Sequence, residues 1–151
     1  MTTMLTLPPR EALPGEFMAE RLVRFAHCDP AGIVFFPRYF EMLNGVVEDW
    51  WAHLGKPWTE TVSQRRLGTP TAKLDTTFVA PSRLGDTLCF HLSVERIGRS
   101  SLDLRHRIVG ADGQERVRFD QCLVATSLET HRSIPWPEDI RQAITRFKER
   151  S

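Results

Sequence analysis

One long amphipathic segment constrains the fold of this chain more than any other feature. Its apolar residues recur at steps of three and four positions, which gives an α-helix a single apolar face. They are Tyr39, Phe40, Leu43, Val46, Val47, Trp50 and Leu54. Pro37 suits the first helical position, where no backbone N–H is needed, and Gly55 and Pro57 end the helix. The sequence therefore predicts one core helix over about residues 37–54.

Most of the remaining chain alternates between apolar and polar residues, as strands with one buried face do. The runs are Phe17–Phe25, Ala72–Ala80, Leu88–Val94, Leu102–Ile108 and Val117–Ala125. Tight turns such as Asp112-Gly113 connect several of these runs and imply antiparallel pairing. A short helix over about residues 137–148 closes the chain. We expect an α+β fold in which an antiparallel sheet of about five strands wraps around one long central helix.

The length of 151 residues suits a single domain. We predict a flexible N-terminal arm over residues 1–16, which contain Pro8, Pro9 and Pro14, and one folded domain over residues 17–151. A domain of this size buries a real core, but it can hardly enclose a ligand of several hundred daltons unaided. If the ligand is large, we expect a second subunit to help build its site.

Charge and cysteine content narrow the classes of function. The 20 basic and 19 acidic residues give a net charge of +1, without the basic surplus of a generic nucleic-acid binder. No apolar run approaches the roughly 18–20 residues of a membrane span. Cys28, Cys89 and Cys122 form no C-x-x-C pair, which disfavours a disulfide framework or zinc site and favours a reducing, cytoplasmic setting. We expect no nucleic acid, membrane or metal as a partner.

The segment from His27 to Pro37 carries the clearest chemical signal, because it leads into the start of the core helix. A helix start offers unpaired backbone N–H groups and the positive end of the helix dipole. Asp29 in this position has two interpretations. It caps the turn or the helix, or it attacks a carbonyl, or activates water to do so, while the N–H groups polarise that carbonyl.

The same segment resembles the signature of the 4-hydroxybenzoyl-CoA thioesterase family of hotdog-fold proteins. The core of the resemblance is D-P-A-G-I-V-F at residues 29–35, followed by Pro37-Arg38-Tyr39. It extends over roughly residues 17–130. Further matching elements are Gly55-Lys56-Pro57-Trp58, Gly68-Thr69-Pro70, Thr77-Phe78-Val79 and Arg99-Ser100. The resemblance implies a hotdog fold, an acyl-CoA thioester substrate, and a homodimer, often paired into a homotetramer, with sites at subunit interfaces.

The resemblance also implies roles for individual residues. Asp29 falls on the catalytic carboxylate, a nucleophile or general base, and the backbone N–H of Phe36 falls on the donor that polarises the thioester carbonyl. Gly32 is a further candidate for substrate binding, because without a side chain it allows a backbone conformation or a close approach that other residues would hinder. The remaining candidates are Trp58 and Thr69 near the acyl pocket, and Arg99 and Ser100 facing the nucleotide end of coenzyme A. Because a thioester is already activated, hydrolysis requires no cofactor.

Departures from the family pattern bear on the acyl group. Asn44 stands where hydroxybenzoyl-specific members carry Asp, so the preference for a 4-hydroxyl is open. Phe36 stands where relatives acting on short aliphatic substrates often carry His, which favours an aromatic or bulky acyl group. Ile97-Gly98 replaces a more basic turn before Arg99, so the phosphate contact is weaker or arranged differently.

Other interpretations remain open. The chain is alternatively a non-catalytic binding module for acyl-CoA or acyl-carrier protein, or a thioesterase for short aliphatic acyl-CoA; a hydratase-type hotdog is less favoured. Cys28 between His27 and Asp29 is better interpreted as a structural cysteine than as part of a triad, because neighbouring side chains diverge. Polar residues on one helix face and alternating arginines in two strands are interpreted as solvated or interface faces. They are Glu41, Asn44 and Glu48, and Arg105, Arg107, Arg116 and Arg118.

Overall fold

A five-stranded antiparallel sheet and one long helix organise residues 11–150, the part of the chain that the computed structural model describes. The sheet has the order β1-β4-β5-β6-β3, and a second sheet pairs β2 with β7. The strands are β1 (Glu16–Leu22), β2 (Leu67–Gly68), β3 (Thr71–Phe78), β4 (Thr87–Ile97), β5 (Ser101–Gly110), β6 (Glu115–Val124) and β7 (Thr126–Ser127). The helices are α1 (Pro37–His53), α2 (Trp58–Thr61) and α3 (Glu138–Lys148). The α+β layout predicted from the sequence is confirmed.

The core helix α1 has the predicted start. Pro37 occupies the first turn after the N-cap residue Phe36. At the other end Leu54 is the C-cap, and Gly55 follows with φ = +78°, a left-handed conformation that favours glycine. Local sequence signals therefore set both ends of α1.

The buried face of α1 divides the core into two halves. Near its start, Tyr39 and Leu43 pack with Phe90 and Phe119 of the sheet. Near its end, Trp50 and Trp51 join a second cluster. Other members of the second cluster are Leu92, Leu104, Trp136, Ile140, Ile144 and Phe147. Each fully buried Leu, Ile or Phe side chain contributes about 1.5–3 kcal/mol relative to an exposed one.

Several predicted boundaries differ from the structure. The first strand spans Glu16–Leu22 rather than residues 17–25, because the chain turns into a short 3₁₀ helix at Phe25–His27. The two-residue strands and α2 are too short to leave a periodic pattern. Residues 1–10 of the predicted arm lie outside the described residues, so its flexibility stays a prediction.

The long axis of α1 separates two ends of the fold. The start end comprises residues 29–37, the β3–β4 loop (residues 79–86) and the β5–β6 turn (residues 111–114), since Val34 N donates to Ser82 O and Arg116 bonds Asp86 and Asp112. The exit end comprises residues 55–70 and 98–100. Pro70 O accepts the N–H of Val124 at the end of β6, and Ser100 O accepts the N–H of Ala125, the next residue. Seventeen helical residues place the two ends about 25 Å apart.

Candidate active site

Asp29 lies in a tight turn eight residues before Pro37, the first residue of α1. Its Oδ1 accepts the backbone N–H of Ala31 at 2.9 Å, and its own N–H and C=O bond Ile33 and Gly32. This is the turn-capping arrangement that the sequence predicted as one interpretation of Asp29. The Oδ2 atom has no hydrogen bond within residues 11–150. One oxygen therefore fixes the side chain while the other stays available for chemistry.

The backbone N–H of Phe36 has no acceptor within the described part of the chain. Its neighbour Phe35 donates to His27 O, and Tyr39 donates back to Phe36 O in the first turn of α1. The Phe36 N–H therefore stands among the unpaired donors at the positive end of a 17-residue helix. Such a donor stabilises negative charge that develops on a carbonyl oxygen.

An apolar cleft of about 270 Å³ opens beside Phe36. Phe36 and Phe78 are 55% and 51% exposed, although they contact each other with ring centroids 6.1 Å apart. Phe40 also contacts Phe36, with ring centroids 6.5 Å apart. The lining residues are Val34, Phe36, Tyr39, Phe78, Val79, Ala80 and Pro81. Aromatic and aliphatic walls next to an unpaired N–H suit an apolar acyl group.

Gly32 serves the turn by its backbone conformation. Its φ is +78°, a region that residues with a side chain rarely adopt. A Cβ atom built there would meet nothing within 4 Å, so close approach is not what requires glycine in this structure.

Asn44 lies on the exposed side of α1. It follows Phe36 by eight residues, which corresponds to about 12 Å along the helix axis. Glu41 and Glu48 share this exposed face. The predicted polar face of α1 is therefore open in one subunit.

The other predicted site residues lie at the exit end. Trp58 packs against the second core cluster, and Thr69 follows the short strand β2. Arg99 and Ser100 form the β4–β5 turn, where their carbonyls accept bonds from Trp136 N and Ala125 N. They lie at the opposite end of α1, a helix about 25 Å long, from the Phe36 N–H. One subunit does not bring them together with Asp29 and Phe36.

The interpretation of Arg116 as part of a solvated stripe is wrong. Its side chain is 7% exposed, whereas those of Arg105 and Arg118 are 60% and 59% exposed. Strand β6 is irregular here: Val109 pairs with Glu115 and Ile108 with Val117, so Arg116 is an extra residue without a partner on β5. A β-bulge redirects the side chain, and alternation alone does not reveal it.

Neither cysteine nor metal chemistry gains support from the structure. Cys28 Sγ lies 3.5 Å from Arg24 O, while His27 Nδ1 accepts the Arg24 N–H, so the three neighbours form no relay. No disulfide joins cysteines within the described range. Residues 11–150 contain no group of three or more His, Cys, Asp or Glu residues placed to hold a metal ion, and no helix there is long and apolar enough to cross a membrane.

Comparison with known proteins identifies the family. The model of the thioesterase-like superfamily matches residues 23–144. The chain belongs to this superfamily. It is 32% identical to the 4-hydroxybenzoyl-CoA thioesterase of Pseudomonas sp. (strain CBS-3) over 111 residues, which cover 70% of this chain and 79% of that protein.

Two solved structures of superfamily members have similar folds. A 1,4-dihydroxy-2-naphthoyl-CoA thioesterase from Synechocystis aligns with a TM-score of 0.79 and 25% identity, covering 87% of this chain and 96% of that one. A 4-hydroxybenzoyl-CoA thioesterase complexed with 4-hydroxybenzoyl-CoA aligns with a TM-score of 0.79 and 26% identity, covering 86% and 99%. These matches confirm the hotdog fold, and the chain is a thioester hydrolase of this superfamily.

Proposed function

We propose that this protein hydrolyses an aromatic acyl-CoA thioester to the free acid and coenzyme A. The observation that supports the proposal is that one segment, which leads into α1, contains both the Asp29 carboxylate and the Phe36 N–H. The carboxylate is anchored through one oxygen and available through the other, and the N–H without an acceptor lies at the start of α1. Pure binding has no need for a carboxylate beside the carbonyl.

Two routes fit this arrangement and give the same products. In one, Asp29 attacks the thioester carbon, the carbon–sulfur bond breaks, and water then cleaves the mixed anhydride. In the other, Asp29 accepts a proton from the water that attacks. In both routes the Phe36 N–H and the helix dipole stabilise the negative carbonyl oxygen, and coenzyme A leaves through its sulfur. Water is the only co-reactant, so we propose no cofactor.

The surroundings of Phe36 support an aromatic acyl group. Phe36, Phe40 and Phe78 offer ring edges and faces that pack well against another ring. The relatives described above are named for hydroxybenzoyl-CoA and dihydroxynaphthoyl-CoA. Asn44 can hydrogen-bond a ring hydroxyl but carries no charge, so hydroxybenzoyl-CoA and unsubstituted aryl-CoA esters are both candidates.

We further propose that the complete site forms between two subunits. Strand β3 pairs with β6 on one side, six of its eight residues are exposed, and it is an edge of the five-stranded sheet of residues 11–150. Antiparallel pairing of two β3 edges about a twofold axis would place the Phe78 end of one copy beside the Thr71 end of the other. The start end of one subunit would then meet the exit end of its partner, including the Arg99-Ser100 turn. A dimer, or a tetramer of two dimers, is the functional unit in this proposal. The cysteine content of the chain favours a cytoplasmic location.

A thioester panel with detection of free thiol tests the proposed reaction. The panel comprises benzoyl-, hydroxybenzoyl-, phenylacetyl- and short aliphatic-CoA, and we expect release from the aromatic members. Asp29→Asn removes the nucleophile or base and should lower kcat by roughly a hundredfold or more, with KM little changed. Asp112→Asn is the matched control, because Asp112 also accepts the N–H two residues on in its own turn.

Each other outcome points to a named alternative. Near-normal turnover by Asp29→Asn would falsify the catalytic role of Asp29. A preference for aliphatic esters would support the aliphatic thioesterase. Saturable binding of acyl-CoA without thiol release from any ester would support the binding module.

A further inference from the structure

The segment that contains Asp29 and Phe36 is hydrogen-bonded to the β3–β4 loop. Val34 N donates to Ser82 O at 2.9 Å, and Leu84 N donates to Gly32 O at 3.0 Å. Ile33 and Arg83 form a β-bridge between these two bonds. The β3–β4 loop therefore helps to set the backbone path from Asp29 to Phe36, together with the Cys28–Val34 bridge and the bond from Phe35 N to His27 O.

A buried arginine holds both ends of that loop. Arg116 Nη1 donates to Pro81 O at 3.1 Å and to Asp86 Oδ2 at 2.9 Å. The backbone carbonyl of Arg116 also accepts the N–H groups of Val79 and Ala80. We call Arg116, Asp86 and the Pro81 carbonyl the loop clamp.

The second nitrogen of the same guanidinium faces away from the loop. Arg116 Nη2 donates to both carboxylate oxygens of Asp112, at 3.1 Å each, in the β5–β6 turn. Gly110 leaves the space that this requires, because a Cβ atom there would come within 2.3 Å of Nη2. The 7% exposure of the Arg116 side chain makes these hydrogen bonds necessary, since a buried cation without partners is strongly unfavourable.

A separate buried bond ties the same loop to α1. Tyr39 Oη donates to Ser82 Oγ at 3.0 Å, and both residues are buried. Tyr39 lies in the first turn of α1, three residues after the Phe36 N-cap. The loop thus contacts the Asp29–Phe36 segment at its middle and the helix at its start.

We propose that Arg116 is a positioning residue for hydrolysis, which acts through the loop clamp to fix the Phe36 N–H relative to the Asp29 carboxylate. The role of Arg116 in catalysis rests on the proposed function. The geometry of the loop clamp does not rest on the proposed function, because its hydrogen bonds order the Asp29–Phe36 segment whatever the substrate is. A planar guanidinium with hydrogen bonds in fixed directions suits this role better than a lysine ammonium.

The two carboxylates on Arg116 form a matched pair for the test. Asp86 accepts Arg83 N and Asp112 accepts Gln114 N, so each also caps its own turn. Burial raises the pKa of Asp86, but hydrogen bonds from Arg83 N and Arg116 outweigh it, so the pKa lies below its ordinary value. Only Asp86 belongs to the loop that contacts the Asp29–Phe36 segment.

The experiment compares Asp86→Ala with Asp112→Ala, using the thioester that the wild type hydrolyses fastest. We expect similar decreases in Tm, because each variant removes one carboxylate from the same guanidinium. Asp86→Ala should lower kcat about tenfold or more with KM within about threefold, because a small misplacement of reacting groups is costly. Asp112→Ala should keep kcat within about twofold. Arg116→Lys should resemble Asp86→Ala.

Equal kcat values in the two alanine variants, measured well below their Tm, would overturn the proposal. Amide hydrogen exchange separates this failure from failure of the proposed function. Asp86→Ala should speed exchange at Val34 and Leu84 more than Asp112→Ala does, even if the wild type hydrolyses no thioester. Unchanged exchange at these amides in Asp86→Ala would rule out the clamp.

Discussion

At the scale of single residues, the two interpretations of Asp29 turn out to be compatible. One carboxylate oxygen caps the turn through Ala31 N, and the other has no hydrogen bond within residues 11–150. A carboxylate held this way loses little conformational freedom on meeting a substrate, because its orientation is already fixed. Turn capping therefore supports a catalytic role.

A buried histidine gives the fold a pH dependence. His106 is fully buried, and its Nε2 lies 2.8 Å from Gln121 Oε1. Gln121 Nε2 in turn donates to Thr71 Oγ1 at 2.9 Å. Burial disfavours the charged imidazole and lowers the pKa of His106 to about 4.

We predict that the free energy of unfolding falls as the pH decreases from about 6.5 to about 4. The unfolded chain binds a proton at His106 in this range and the folded one does not, so up to about 3 kcal/mol is lost. Above pH 6.5 this contribution is fully present. Denaturant unfolding of wild type and His106→Gln at several pH values measures it, and the slope should be shallower in the variant.

His131→Gln, which replaces an exposed histidine, is the control for this prediction. If His106→Gln kept the wild-type slope between pH 6.5 and 4, the acid sensitivity would come from other groups.

At the scale of elements, α3 depends on ion pairs that the sequence pattern did not indicate. Asp139, in the first turn of α3, accepts hydrogen bonds from Nη1 and Nη2 of Arg65 at 2.6 and 2.9 Å and from Nζ of Lys56 at 2.9 Å. Hydrogen bonds from Arg65 and Lys56 hold the pKa of Asp139 well below its ordinary value. These contacts fasten α3 to the segment that follows α1.

We predict that Asp139→Asn destabilises the fold by about 1 kcal/mol, a modest value because the carboxylate is partly exposed. The loss should be largest at neutral pH and should begin to shrink as the pH falls through about 3.8, where the unfolded carboxyl takes up a proton; it should vanish only below the much lower pKa of the folded carboxyl, so the loss at pH 3 should be smaller than at pH 7 but still present. Thermal unfolding at pH 7 and pH 3 measures the difference. Glu138→Gln, one residue earlier on α3, is the control and should have a smaller effect. A larger loss at pH 3 than at pH 7 would contradict the prediction.

Strand β3 shows why alternation predicts a strand but not its burial. Leu74, Thr76 and Phe78 alternate on one face, yet only Leu74 and Thr76 are half-buried, and Ala72 falls at a register irregularity between Thr71 and Lys73. The strand lies at the edge of the sheet, with a neighbouring strand on one side only. Its position in the sheet, which no local pattern encodes, decides the exposure.

At the scale of the whole molecule, the separation of the two ends explains why a chain of 151 residues is expected to need a second subunit for a large ligand. A single subunit has the residues of the proposed carbonyl chemistry at the start end and Arg99 at the exit end, on opposite sides of a helix about 25 Å long. A second copy would supply the missing end without adding residues to the chain.

We predict that inactive variants restore each other's activity when mixed. Asp29→Asn lacks the start-end chemistry, and Arg99→Ala lacks the proposed contact with the nucleotide end of coenzyme A. In a mixed dimer one of the two sites contains both wild-type residues, so an equal mixture should regain about one quarter of wild-type activity. Mixing after mild unfolding and refolding, with each variant refolded alone as the control, measures this.

No recovery in the mixture would place both residues in the same subunit's site. A light-scattering mass of 17.4 kDa, that of one chain, would contradict the shared site directly.

Local sequence patterns predicted the long helices and strands of this protein and the segment from Asp29 to Pro37. Helix α1 follows from its apolar stripe, Pro37 and Gly55, and the long strands follow from alternation, because these signals act between residues a few positions apart. The motif from Asp29 to Pro37 is contiguous for the same reason, so its turn and helix start could be inferred together.

Contacts between residues distant in the chain could be found from the tertiary structure alone. Examples are the bulge that buries Arg116, the loop clamp and the ion pair of Asp139 with Arg65. Such contacts depend on strand order, register and helix length together, and a one-residue irregularity such as the bulge changes the direction of a side chain. Local sequence patterns do not contain that information.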